Sequence, residues 1–279
     1  MFFQRTLATL GLAATLTGGA LAASTDLRIG LPSEPQSLDL TGAGDIAAIR
    51  VMYGNVFETL ARFDDQGNPQ PWLAERWELA PDGLSLTLTL RPDIRFHDGT
   101  SFEADDAAFS LNRQLGTLPA FSAITGVSVI DPRTLRIVLS RPDAGLLSAL
   151  ASPAAVIVAP ESADNNGTEP IGTGPFALFD WFRGDRMILE RNETYWGEHP
   201  KIIKASLVVY AHEAAGVAAL QRGDVDGLAH VADPAVLATL QGVPGLFVTG
   251  TSAWNAGIEG VPVEMAEDWL DLRVLRWAE

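Results

Sequence analysis

The chain contains no cysteine among its 279 residues, so disulfides, thiolate metal sites and a cysteine nucleophile are all excluded. Lipid anchoring through a cysteine after an export signal is excluded with them. Histidine is scarce as well. His97, His199, His212 and His230 are scattered, with no i, i+4 pair and no carboxylate cluster at ligand spacing, so the pattern offers no metal centre. Basic residues are outnumbered, 19 against 35 acidic, and the formal charge of −16 argues against nucleic acid or anionic membrane surfaces as partners. No serine stands in a nucleophile elbow, and the glycines at Gly172 and Gly174 lack the Lys-Ser/Thr that a phosphate loop requires. His97-Asp98 therefore has no nucleophile to serve, and the chain is not read as an enzyme.

Long apolar runs are missing except at the start. Arg5 precedes an apolar, small-residue stretch from Leu7 to Leu21, and Ala20-Leu21-Ala22 gives the small-x-small pattern of a cleavage site. Residues 1–22 are read as a secretory signal peptide, the alternative being an uncleaved anchor. With no cysteine to oxidise or lipidate, the expected address is the periplasm, without a lipid anchor.

The 47% apolar content can fill a substantial core, and the elements read as mixed α/β without regular βαβ alternation. Asp26 to Gly30 reads as a strand leading into a loop shaped by Pro32 and Pro35. Ile46 to Leu60 has helical spacing. Leu84, Leu86, Leu88 and Leu90 alternate with polar residues after the turn Pro81-Asp82-Gly83, which predicts a strand with one leucine face. His97-Asp98-Gly99-Thr100 is a second turn. Asp105 and Asp106 are placed to cap a helix running to Leu115. Val127–Ile130 and Leu135–Leu139 form one hairpin; Phe176–Phe179 and Met187–Arg191 form another, with Arg183-Gly184-Asp185 at its tip. Leu146–Leu150 is a short helix and Leu207–Tyr210 a strand. Ala211–Arg222 is a helix closed by Gly223, and Asp233-Pro234 starts one more.

Ordered motifs then carry a family resemblance. The run from Trp72 to Ser110, with its Ala74-Glu75-Arg76-Trp77-Glu78-Leu79, Pro81-Asp82-Gly83 and Arg95-Phe96-His97-Asp98-Gly99-Thr100, resembles the signature segment of the extracytoplasmic solute-binding proteins of ABC importers, family 5, the dipeptide, oligopeptide and nickel type. Tyr53 to Leu60, Pro170 to Phe176, Leu189 to Trp196 and Ala219 to Asp226 are similar to further segments of that family in its own order. Glu193 stands where proline is usual. Tyr195-Trp196 by itself reads as a buried aromatic corner.

The resemblance implies a periplasmic binding protein type II-like bilobal fold with an inserted small domain. It places the first lobe at residues 23–50 and 155–250, the insertion at 51–154, and the crossover to the second lobe at 251–279. Asp271 to Ala278 looks like the opening helix of that second lobe, the rest of which would be missing, so the chain reads as truncated and marginally folded, the alternatives being that a separate polypeptide supplies the rest or that the chain is a fragment of a longer one. The implied function is binding of a peptide-like small solute in an interlobe cleft and its delivery to ABC permease subunits of the inner membrane, with no cofactor. By position in the resembled fold, the ligand contacts would be Ser33, Gln36, Ser37, Tyr53, Trp254 and Asn255. A sensory or chaperone-like binding module, or an inactive remnant, is the alternative reading.

Overall fold

The computed structural model describes residues 25–41, 44–64, 66–249, 252–259, 261 and 270–278. The expected signal peptide lies outside the described residues. Strand β1 (Asp26–Leu31) and helix α1 (Ile46–Met52) come first. A short pair, β2 (Ala61–Phe63) and β3 (Pro69–Pro71), leads to β4 (Ala74–Leu79) and β5 (Ser85–Leu90). Helix α2 (Ala104–Gln114) separates these from β6 (Ile124–Asp131) and β7 (Thr134–Leu139). After α3 (Leu146–Leu150) come β8 (Phe176–Phe182), β9 (Arg186–Arg191), β10 (Lys204–Val209) and α4 (Glu213–Arg222). The last elements are β11 (Gly227–Leu228), α5 (Pro234–Ala238), β12 (Leu246–Thr249), β13 (Ser252–Asn255), β14 (Ile258–Glu259) and β15 (Arg276–Trp277).

Two sheets organise the chain. The larger has seven strands in the order β12-β13-β11-β1-β10-β9-β8. Within it β1 pairs in parallel with both β10 and β11, and the remaining pairings are antiparallel. The smaller is an antiparallel four-stranded sheet, β4-β5-β7-β6. Each has its own core. Leu27, Ile29, Met187, Leu189, Ala205 and Leu207 centre the first, while Leu86, Leu88, Leu135, Ile137 and Leu111 centre the second. Residues on both sides of the expected 50/51 lobe boundary, from Ala48 through Phe57, pack in the first core.

Local chemistry accounts for most of the element ends. Leu86, Leu88 and Leu90 are buried on one face of β5; Leu84 falls just outside the strand and is partly exposed. At α2, Asp106 turns its carboxylate back to accept the Glu103 N–H at 2.8 Å, half of a capping box. Gly223 closes α4 with φ 76°, the left-handed position glycine takes without strain. Asp233 caps α5 by accepting from Ala235 N–H at 2.8 Å.

Three expectations change. The helix read from Ile46 to Leu60 stops at Met52, because the N–H groups of Asn55, Val56 and Phe57 all fold back onto the Met52 carbonyl around Gly54. β4 was not anticipated: Glu75, Arg76 and Glu78 expose too much charge for an alternation signal, and pairing with β5 decides it. The segment read as an opening helix, Asp271 to Ala278, is not helical: it turns at residues 272–274 and ends in β15. Leu270, just before it, fills the first core together with Leu272 and Leu275, and β15 pairs with β14. Among the described residues no helix is long and apolar enough to cross a membrane.

Candidate functional site

The six residues expected at a ligand site fall in three places. Ser33 and Gln36 are exposed and Ser37 half-buried, on the loop that leaves β1. The loop is held from both sides: Gln36 N–H donates to the Asp45 carboxylate at 2.8 Å, at the start of α1, and Leu38 N–H donates to Gly167 O at 3.0 Å. Ser37 Oγ accepts from Asp39 N–H at 3.2 Å, closing a tight turn. Its polar groups reach solvent on a constrained backbone, which suits recognition of a polar solute.

Tyr53 and Trp254 sit elsewhere and are buried, with 2% and 1% of their surface exposed. Tyr53 donates its hydroxyl to Ala151 O at 2.7 Å and packs edge-on against Trp72. The Trp254 ring lies over Gly227, where any Cβ would overlap it, and its Nε1 has no hydrogen-bond partner among the described residues. Asn255, half-buried beside it on β13, donates its N–H to Asp226 O at 2.8 Å and accepts from Gly257 N–H at 2.9 Å. Burial places both aromatic rings in the first core.

A buried polar cluster was not anticipated. Glu58 is fully buried and accepts three hydrogen bonds: from Thr173 Oγ1 at 2.8 Å, Tyr195 OH at 2.8 Å and Trp196 Nε1 at 3.0 Å. Removal from water pushes its carboxyl above the usual range, and the three donors oppose that. The Tyr195 hydroxyl is pushed up by the same burial and by the neighbouring carboxylate. Arg273 joins from the far end of the chain, paired with Asp271 at 2.6 Å and stacked on Trp72 at 5.4 Å.

His97 makes the second junction. Gly172 N–H donates to its Nδ1 at 3.3 Å, so Nε2 carries the proton and donates to Gly174 O at 2.9 Å. The ring is neutral in this arrangement, and burial pushes its pKa down to about 4. Gly172 and Gly174 are required by close approach: a Cβ on either would overlap the carbonyl oxygens of Val56 or Asn55. Asp226, also buried, ties β1 to β11 by accepting from the Arg28 backbone and guanidinium at 2.8 Å.

Segments separated widely in sequence thus meet at Glu58, His97 and Asp226, and each holds one part of the fold to another. No group of three or more histidine, aspartate or glutamate side chains is placed to hold a metal ion among the described residues.

The family model of bacterial extracellular solute-binding proteins, family 5, middle region, matches residues 68–271. The chain belongs to this family. The glutathione-binding protein GsiB of Escherichia coli K12 is 29% identical over 231 residues, 78% of this chain and 44% of its own length. The nickel-binding periplasmic protein of the same organism is 33% identical over 183 residues, 61% of this chain and 35% of that protein. Among solved structures, the binding protein MoaA from A. tumefaciens R10, in complex with mannopinic acid, is 28% identical with a TM-score of 0.75, over 81% of this chain and 49% of that one. The ABC transporter-associated periplasmic binding protein DppA of Helicobacter pylori, in complex with the peptide STSA, is 25% identical with a TM-score of 0.72, over 81% and 50%. The fold is therefore that of a type II periplasmic binding protein, and the chain spans less than half the length of the curated relatives it matches. In this family member the motif residues Glu58, Thr173, Tyr195 and Asp226 are scaffold rather than exposed site.

Proposed function

We propose that this chain supplies one wall of a solute cleft in an extracytoplasmic binding protein of an ABC importer, taking a small peptide-like solute and passing it unchanged to permease subunits of the inner membrane. The observation that carries the reading is the family match over residues 68–271. Relatives named for glutathione, nickel and peptide binding support a transport role over catalysis. The same relatives support export to the periplasm, with residues 1–22 acting as the signal.

Ser33, Gln36, Ser37 and Asn255 contact the solute in this reading; Tyr53 and Trp254 set the shape of the wall from behind. A polar, hydrogen-bonding loop suits a peptide backbone, which is recognised through its N–H and C=O groups and bridging water. Solute touching both walls favours the closed state by its differential affinity, and closure is the signal the permease reads.

The test is a chimera. The matching portion of the E. coli glutathione-binding protein is replaced by residues 26–259 of this chain, and the product is titrated with glutathione and with di- and tetrapeptides. Saturable binding, weakened when Gln36 and Asn255 are both changed to alanine, is the expected result. A folded chimera that binds none of these solutes would remove the proposal.

A further inference from the structure

The loop that carries Ser33, Gln36 and Ser37 is gripped from a third direction by the tip of the β8–β9 hairpin. Glu34 Oε1 accepts two hydrogen bonds from that tip, from Trp181 Nε1 at 2.9 Å and from Gly184 N–H at 3.0 Å. In return Arg183 Nη1 lies 3.3 Å from both the Pro35 and Gln36 carbonyl oxygens and donates to them. The Arg183 guanidinium stacks on the Trp181 ring, 3.3 Å from its centroid, so one side chain orients the other. The two partners are about 150 residues apart in sequence, and nothing local requires Glu34 to face the tip.

We infer that Glu34, Trp181 and Arg183 form a latch that fixes the backbone of the loop and so presents Ser33, Gln36 and Ser37 to a solute in one conformation. They are positioning residues, and the inference rests on the reading of that loop as part of the solute wall. The physical gain is preorganisation: a loop already held in its bound shape loses less conformational freedom when the solute arrives. The carboxylate is the natural hub because it accepts from two donors at once, and a hydrogen bond to a charged acceptor is stronger than a neutral one. The half-buried setting of Trp181 keeps the latch from full solvent competition.

Hydrogen exchange on the full chain and solute titration of the chimera described above separate the latch from the solute reading. In Glu34→Ala, the amides of Gln36, Leu38 and Gly184 exchange about tenfold faster while β5 and β7 keep their wild-type rates. Glu34→Gln, whose amide oxygen can still accept from Trp181 and Gly184, returns most of the protection. With glutathione as the probe, Glu34→Ala raises the dissociation constant about fivefold and Glu34→Gln leaves it near wild type. Wild-type exchange at those amides in Glu34→Ala would refute the latch. Faster exchange with unchanged glutathione affinity would also overturn the inference, since the loop's conformation would then not matter to the solute. If the chimera with wild-type Glu34 binds no glutathione, the reading of the loop as a wall for such a solute fails by itself, and the exchange rates of the full chain still decide whether the latch holds.

Discussion

The four-stranded sheet takes all its strands from one stretch, residues 74–139, and pairs them antiparallel; the seven-stranded sheet joins β1, near residue 26, to strands drawn from residues 176–255. In the first, closing each connection costs little entropy, and turns such as Pro132-Arg133 set the register. In the second, a parallel pair such as β1 with β10 forms only after most of the chain is in place. Its assembly depends on particular long-range contacts: the Glu58 cluster, the Gly172–Gly174 crossing, and Arg28 with Asp226. The contiguous unit is thus secured by pattern and the discontinuous one by a few irreplaceable side chains.

Breaking the crossing should have the largest effect. Gly174→Ala drives a Cβ into the Asn55 carbonyl, and because backbone cannot yield as a side chain can, we expect a loss of about 4 kcal/mol in urea denaturation. Hydrogen exchange in β8 and β9 should rise first; equal loss in β5 and β7 would mean the two units fold as one. Leu88→Ala empties a fully buried site in the other core, with an expected cost of about 3 kcal/mol. Its exchange should rise in β5 and β7 before β1 and β10, and the reverse order would break the distinction between the cores.

A smaller, pH-dependent effect tests the junction itself. His97 is neutral in the fold and its pKa is lowered from 6.5 to about 4, so the unfolded chain binds the proton more readily. Its contribution is therefore intact above pH 6.5 and is lost as the pH falls toward 4, by about 2 kcal/mol once partial exposure is allowed for. Protonation also removes the lone pair that Gly172 N–H uses. Thermal melts at pH 7 and pH 4.5 should show His97→Gln losing less stability than wild type between the two; identical losses would show that the histidine does not titrate against the fold. The smallest change is expected from Arg276→Ala, which removes an exposed ion pair with Glu259 and should shift stability by about 0.3 kcal/mol. A loss several times larger would make β15 a true part of the first core's closure.

Period-2 leucines made β5 legible, Gly223 and Asp233 marked helix ends, and the ordered motifs pointed to the family. The candidate loop at Ser33–Ser37 was legible too, since two prolines exclude regular structure there. Tyr53 and Trp254 were expected at a cleft by position, and in the fold both are buried in the first core. Whether an aromatic side chain lines a cleft or fills a core depends on what packs over it, and Met52, Trp72 and Gly227 are brought there by the fold.

Residue types and short spacings were enough for the family, the strand and helix periods, and the exclusion of thiol chemistry, because these are local properties of the chain. Tertiary structure alone decided that Glu58 gathers Thr173, Tyr195 and Trp196, that His97 is neutral, and that Glu34 meets Trp181 and Gly184. Each of these is a meeting of groups about 75 to 150 residues apart, and the protonation and orientation of such groups are set by desolvation and by partners that no local pattern encodes.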